Sequence, residues 1–537
     1  MNDGDGKWRD WALAAGAGLA WACAFPPVTF LPAAWLAPAL LLAATRAAPG
    51  RAFRLGLVAG IAHYFTTLAW VLYIPVAPGN IAGWLALSTY CSVYPAAWAA
   101  LCWYLFPGDL KKPIAEALAE LSFCKRLCWG ASCALGWVAL ECLRGWVITG
   151  FPWNYLGASQ LEFTRLAMLA QFTGVLGVSL VVAWGSVGGL LLVWRYCGEK
   201  KFEPPMLKEL AGPTMLLALA MGLGSFALAQ PLGAKRDELK IALIQPSIPQ
   251  EVLWSGNPED QHNRFKQLMD LSDIAVEKYP DLHLLVWPEA SMPPLSLLDP
   301  EVVAARLEKL NATLREKKIW RVWGADRRSE EGAPLNSSVL INPEGEVLEN
   351  YSKQHLVMFG EYVPFGEQLP FLKKLAPVGN FARGKGPVVF DMGRAKMSVI
   401  ICFEDVVPHL ARRAATPEVD FLLNLTNDGW FGKSHQQWQH ARSAAWRAIE
   451  TRRPLVRCTN NGITCWIDEH GRFHGVKPPV HSPRVNVVTI PLREGSRAPT
   501  VYQRTGDWLP WSAVAICVGL IFVRRKKGSA SGAIPAN

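Results

Sequence analysis

A thiol, two carboxylates and an amine stand where apolar runs of this chain give out, and together they have the chemistry of acyl transfer through a thioester. The run Ser398-Val399-Ile400-Ile401 ends in Cys402, followed at once by Phe403, Glu404 and Asp405. A second run, Leu285-Val286-Trp287, ends in Pro288 and Glu289. A third stretch, Tyr351-Ser352-Lys353-Gln354-His355-Leu356-Val357, leads into Phe359-Gly360-Glu361-Tyr362-Val363-Pro364. The thiolate is the real nucleophile, and a free cysteine is mostly thiol near neutral pH. A carboxylate such as Glu289 can take its proton. A lysine such as Lys353 can favour the thiolate and stabilise the oxyanion of a tetrahedral intermediate. Taken singly, each has a plain structural role as a buried core thiol, a solvated loop charge or a turn carboxylate. They make a site only if separate strand ends converge at one edge of a sheet.

The segment that must bring them together reads as α/β. Strand-like runs cover 240–245, 283–287, 320–324, 338–341, 397–402, 421–426, 455–459, 463–467 and 485–490. Amphipathic helical stretches at 261–278, 300–317 and 438–451 lie between several of them. Strands alternating with helices predict one layered α/β domain over 234–507.

The flanks are of another kind. Hydrophobic residues make up 51% of the chain and charged ones 18%, with 24 Trp, and the apolar excess is concentrated before residue 234 and after 507. A membrane span needs about 20 predominantly apolar residues. Candidates are 11–29, 31–45, 55–76, 82–106, 129–148, 166–194, 211–231 and 508–523. Lys and Arg gather in alternate loops: Lys7 and Arg9; Arg46, Arg51 and Arg54; Lys111, Lys112, Lys125 and Arg126; Arg195, Lys200, Lys201 and Lys208; then Arg524, Arg525, Lys526 and Lys527. The intervening loops carry only Arg165. By the positive-inside rule both termini are cytoplasmic and 234–507 lies on the extracytoplasmic side. If the first segment were instead a signal peptide cleaved near Ala22-Cys23-Ala24, that side would not change.

The same pattern disposes of other classes. A net charge of +10 suggests nucleic acid, but the excess sits in short loops between hydrophobic segments, so no nucleic-acid partner is expected. With no zinc-type Cys/His spacing and no Gly-rich phosphate loop, neither a metal nor a cofactor is expected. Of 12 Cys, only Cys402, Cys458 and Cys465 lie in the α/β segment, an odd number that leaves at least one thiol unpaired there. Cys458 and Cys465 either pair or are both free. Within the fifth span, Glu141 and Arg144 share a helix face and form either a functional path or a self-satisfied pair. The loop Gly150-Phe151-Pro152-Trp153-Asn154-Tyr155 reads as an aromatic interfacial anchor or as the floor of a lipid-facing site.

The order Glu289, Lys353, Cys402, set in Trp-Pro-Glu, Lys-x-His-Leu-Val and Cys-aromatic-Glu, resembles the Glu-Lys-Cys triad of the nitrilase, or carbon-nitrogen hydrolase, superfamily. With about eight spans around it, the chain resembles more narrowly the membrane-embedded branch, the bacterial apolipoprotein N-acyltransferases. Further matches are Ile244-Gln245-Pro246-Ser247-Ile248-Pro249-Gln250 with Trp254 soon after, Asn427-Asp428-Gly429-Trp430-Phe431-Gly432, and Cys458-Thr459-Asn460-Asn461-Gly462-Ile463. The likeness runs over 11–523, and Phe403 departs from it where the family often has Tyr.

That resemblance implies a polytopic α-helical membrane domain (1–233, rejoined by 508–537) and a nitrilase-like α-β-β-α sandwich at 234–507. It implies a ping-pong reaction in a bacterial inner membrane. Cys402 takes an acyl chain from a phospholipid and gives it to the α-amine of a diacylglyceryl-modified lipoprotein cysteine, with Glu289 as base and Lys353 on the oxyanion. Glu361 would support the site, and Phe403 and Glu404 would shape the pocket; Trp254, Trp430 and Asn427 are candidate substrate or lipid contacts, the two tryptophans reading equally well as anchors of the domain at the bilayer interface. A monomer is favoured. Two other readings stay open: a membrane-tethered amidohydrolase, and a transporter with a large outer domain.

Overall fold

The computed structural model describes residues 3–199, 203–364, 366, 368 and 379–531. They divide into two compact units. The first takes residues up to Ala69, Gly83–Ala229 and those from Thr505 on; the second takes Trp70–Ala82 and Gln230–Arg504.

The first unit is helical. Its long helices are α1 (Asp3–Ala22), α2 (Leu31–Ala44), α3 (Pro49–Thr67), α4 (Gly79–Leu105), α5 (Phe123–Arg144), α6 (Val175–Glu199), α7 (Ala211–Ala229) and, at the other end of the chain, Trp508–Ser531. Each overlaps one of the expected spans. Among the described residues, four stretches are long and apolar enough to cross a bilayer: Gly79–Leu105, Val175–Glu199, Pro204–Ala229 and Trp508–Lys526, while Leu31–Ala44 is apolar but shorter. Small residues set the packing. A Cβ on Gly18 would stand 2.1 Å from the Ala59 carbonyl oxygen, and one on Gly60 would stand 2.7 Å from the Ser92 Cα.

Three sequence expectations change here. The span expected over 166–194 begins only at Val175, because Gly174 (φ 68°) breaks the chain after two short helical turns. The span expected over 55–76 ends at Thr67, and Trp70–Ala82 goes with the second unit. Glu141 and Arg144 do not spend their hydrogen bonds on each other. Arg144 donates to the carbonyls of Trp153 at 2.6 Å and Phe151 at 3.3 Å, and Glu141 Oε1 accepts from the Leu156 amide at 2.6 Å. They clamp the loop expected as an interfacial anchor, and its Trp153, Asn154 and Tyr155 are buried. Lys200 and Lys201 of the charge pattern lie outside the described residues.

The second unit is built on two six-stranded sheets. Its strands are β1 (Lys235–Gln245), β2 (Leu284–Val286), β3 (Trp320–Arg328), β4 (Pro334–Ile341), β5 (Val347–Ser352), β6 (Val389–Asp391), β7 (Lys396–Ile401), β8 (Phe421–Thr426), β9 (Leu455–Thr459), β10 (Cys465–Ile467), β11 (Phe473–His474) and β12 (Arg484–Arg493). One sheet runs β12-β1-β2-β3-β4-β5 and the other β11-β10-β9-β8-β7-β6. The central trios β1-β2-β3 and β7-β8-β9 are parallel, and the pairings outside them are antiparallel. Parallel neighbours need helical crossovers. These are α8 (Pro258–Lys278), α9 (Pro300–Glu316), α10 (Pro408–Ala414) and α11 (Gln436–Thr451).

Strand alternation assigns the faces. Leu239, Ile241 and Leu243 of β1 share a core with Met397, Val399 and Ile401 of β7 and Phe421, Leu423 and Leu425 of β8. Ala242 and Ile244 point the other way, against Phe265 and Leu268 of α8. Both faces being buried, these strands are written as nearly continuous apolar runs. The alternation also decides the two cysteines. Cys458 lies in the core between the sheets, its thiol reaching the Ile244 carbonyl at 3.4 Å, while Cys465 pairs in register with Arg457, one residue earlier on β9 and so on the opposite face. Side chains on opposite faces cannot bridge, and both thiols are free.

Candidate active site

The parallel strands β2, β7 and β8 end on the same side, where α/β sheets place ligands. β7 buries Met397, Val399 and Ile401 in turn, and the next residue opens a tight turn, Cys402–Asp405. Cys402 holds φ 52°, a left-handed conformation that costs a non-glycine residue about 1–3 kcal/mol. The turn is held by Glu404, fully buried, whose Oε2 accepts from the Ile401 amide at 2.7 Å and the Tyr351 hydroxyl at 2.7 Å. Its Oε1 accepts from the amides of Gln354 at 2.7 Å and His355 at 3.1 Å. One carboxylate thus ties the cysteine turn to the loop that carries Lys353.

Glu289 follows β2 by way of Trp287, stacked on Trp323 at 4.3 Å, and Pro288. Close approach of β3 requires glycine at 324, since a Cβ there would stand 2.2 Å from the Pro288 carbonyl oxygen. Lys353 extends β5 by one residue, its amide donating to the Asn336 carbonyl at 2.8 Å.

The side chains converge. Lys353 Nζ lies 2.9 Å from Glu361 Oε1 and 3.5 Å from Glu289 Oε1. Asn336 Nδ2 donates to the same two oxygens, at 2.8 Å to Glu289 and 2.9 Å to Glu361. The second oxygen of Glu289 accepts from the Asn427 amide at 2.9 Å, and that of Glu361 from the Val357 amide at 2.9 Å. Cys402, half-buried as a residue, stands close enough to Glu289 and Lys353 for both charges to act on its thiol.

The electrostatics suit proton transfer. Burial, with Glu361 nearby, raises the Glu289 carboxyl against the pull of Lys353. Burial and the Glu289 charge push the Cys402 thiol well above its ordinary value, and Lys353 opposes them. Burial disfavours the Lys353 ammonium, but Glu361, Cys402 and Glu289 outweigh it, so lysine stays charged. Passing the thiol proton to Glu289 moves one negative charge from carboxylate to sulfur and leaves the total unchanged. Lys353 faces both positions, so the site can make a thiolate without creating a new buried charge.

Glu289, Cys402 and the pair Lys353 and Glu361 are thus brought together from three separate stretches. Phe403 stacks on His355 with centroids 5.8 Å apart. Trp254, nearly half exposed, meets Trp430 edge-on at 4.7 Å. Asn427, expected to meet lipid, is instead buried: its amide holds Glu289, its Nδ2 donates to Gln250, and its Oδ1 accepts from Gly429 and Asn460. Asn336 and Tyr351 were not anticipated. The one signal for Asn336 is a polar residue just before an apolar strand run.

Both parts of the chain are similar to known proteins. A family model described as "Carbon-nitrogen hydrolase" matches residues 240–498, and one described as "Apolipoprotein N-acyltransferase N-terminal domain" matches 17–188. The chain is 34% identical over 532 residues to a protein of Geobacter metallireducens named "Apolipoprotein N-acyltransferase", covering 96% of each chain. Proteins of the same name from Vibrio vulnificus and Vibrio parahaemolyticus are each 30% identical, with 94% and 96% of this chain and 95% and 97% of theirs covered.

Proposed function

The chain belongs to the apolipoprotein N-acyltransferase family, and from that premise we propose that Cys402 carries the acyl group from a phospholipid to a lipoprotein amine. The enzyme is an acyltransferase, its substrates are lipoprotein and phospholipid, and it is a protein of the inner membrane. In the first step Glu289 takes the thiol proton and the sulfur attacks the sn-1 ester carbonyl. Lys353 stabilises the oxyanion, and Glu289 returns the proton to the departing lysophospholipid oxygen. In the second step the α-amine of a diacylglyceryl-cysteine attacks the thioester, gives its proton to Glu289, and the thiolate leaves and is reprotonated.

The observation that carries this reading is the sharing of one ammonium by two buried carboxylates, with a thiol close enough for that ammonium and Glu289 to act on it. Glu361, backed by Asn336, fixes Lys353 and leaves Glu289 free to exchange protons. Trp254 and Trp430 are candidate lipid contacts, and excluding water there protects the thioester from hydrolysis.

We read 1–233 and 508–537 as the membrane part, with about eight spans, and 234–507 as a periplasmic catalytic domain. The distribution of Lys and Arg supports cytoplasmic termini, and the four helices of sufficient length and apolarity support the spans. A monomer holds every residue the mechanism uses.

The test runs the two steps apart. Purified protein is loaded with labelled phospholipid, freed of excess donor, then given a diacylglyceryl peptide. Label should leave the protein for the peptide amine; release only as free fatty acid would favour an amidohydrolase and overturn the transfer. Reagent labelling of Arg525→Cys in intact cells should find it shielded, and outer-side reactivity would overturn the topology.

A further inference from the structure

Behind the cysteine turn four charged side chains are sealed from solvent: Asp405, Asp428 and Arg457 are fully buried and His440 nearly so. His440 Nδ1 lies 2.7 Å from Asp428 Oδ1 and its Nε2 lies 2.7 Å from Asp405 Oδ1. The Nδ1 contact is a directed hydrogen bond; the Nε2 contact is close but poorly aligned, an ion pair more than a hydrogen bond. Arg457 Nη1 contacts the other Asp405 oxygen, and its Nη2 lies 3.5 Å from Asp428 Oδ2. A ring nitrogen bearing a lone pair would be repelled at that range from a carboxylate, so both nitrogens carry protons. The quartet is then neutral, two carboxylates against an imidazolium and a guanidinium, as buried charges require. Burial disfavours the imidazolium, but the two carboxylates outweigh it and hold His440 up to about 9, against the opposing charge of Arg457. From its own helix, Gln436 adds an uncharged donor 3.4 Å from Asp428 Oδ1.

The two carboxylates come from different parts of the site. Asp405 closes the turn that Cys402 opens. Asp428 follows Asn427, whose amide holds Glu289 at 2.9 Å. We propose that His440 is a positioning residue for acyl transfer: its imidazolium ties the turn bearing the thiol to the turn holding the base, and so sets the geometry between Cys402 and Glu289. This rests on the reading of those two residues as nucleophile and base. The bridge touches no substrate, so it acts on the chemical step and leaves phospholipid binding alone.

Single-turnover acylation by labelled phospholipid tests it in the full-length wild type, His440→Gln and His440→Gln/Asp428→Asn. His440→Gln leaves two buried carboxylates facing one guanidinium. Acylation by the folded fraction should slow about 100-fold, the loss expected of a reacting group misplaced by about 1 Å, with KM for phospholipid within about threefold of wild type. Removing one carboxylate with the cation restores neutrality, so the double variant should recover at least about tenfold. A wild-type rate in His440→Gln, or a loss confined to KM, overturns the positioning role; absence of any acyl-enzyme in the wild type overturns the reading of Cys402 instead. ¹⁵N-histidine spectra of the wild type near pH 8 need no folded variant. One ring protonated at both nitrogens is expected there, and all rings neutral would overturn the bridge.

Discussion

Replacing Glu404 by Gln separates a structural brace from a catalytic acid. The carboxylate accepts four hydrogen bonds, from Ile401, Tyr351, Gln354 and His355, at 2.7–3.1 Å. In the variant the amide nitrogen takes the seat facing Tyr351, whose hydroxyl can turn to accept. The Ile401 amide is then left facing an N–H. Loss of one hydrogen bond to a charged group is about 1.5–3 kcal/mol, and weakening of the two on the other oxygen to neutral strength adds about 1 kcal/mol each. The sum, about 3.5–5 kcal/mol, is a large share of the 5–15 kcal/mol that keeps a domain folded. At about 2–4 °C per kcal/mol for a unit of this size, Tm falls by about 7–20 °C. Because the same carboxylate joins the Cys402 turn to the Lys353 loop, kcat/KM should fall about 100-fold in the fraction still folded. Tyr351→Phe removes a single donor and should show the same two effects at about a third of the size. Differential scanning fluorimetry in detergent beside single-turnover acylation measures both. Wild-type Tm with lost activity would refute the brace and place Glu404 in the chemistry; wild-type values of both would refute any role.

Three further outcomes follow from the geometry. Lys353→Met removes the cation between two buried carboxylates, and acyl-enzyme formation should drop by at least about 1,000-fold in the single-turnover assay. Asn336→Leu removes a donor that favours the ionised form of Glu289, whose carboxyl already stands above its ordinary value. The base works only when deprotonated, so the acidic limb of the acylation profile should shift to higher pH, read from kcat/KM between pH 4 and 8. Peptide mapping of the unreduced, denatured protein should find Cys458 and Cys465 both alkylated, since they face opposite sides of their sheet; a linked peptide would contradict that register.

How much of this could be read from the chain depends on what buries each element. β2 and β7 are covered on both faces, so they are written as mostly apolar runs, and a sudden Glu289 or Cys402 marks the sheet edge. Lys353 is different. The strand that delivers it, Val347–Ser352, is a mostly exposed edge strand with no apolar run, and only the motif around the lysine betrayed it. β6 and β11, two or three residues long at the other sheet's edges, were missed for the same reason. Asn336 sits in Pro-Leu-Asn-Ser-Ser, which reads as loop, because its strand spends polar residues on the site. Asn427 and His440 were opaque because their partners are distant in sequence: Gln250 and Glu289 for one, Asp405 for the other. In the helical unit hydropathy located the segments, but the break at Gly174 needs a backbone conformation that composition does not announce.

The account stands most directly on where the acyl group sits midway through the reaction. Purified protein mixed with labelled phospholipid, quenched in acid, digested and sequenced by mass spectrometry should carry one acyl group on the peptide containing Cys402, labile to neutral hydroxylamine as a thioester. Cys402→Ala should carry none. Acyl label on another residue, or label retained undiminished by Cys402→Ala, would contradict the mechanism at its centre.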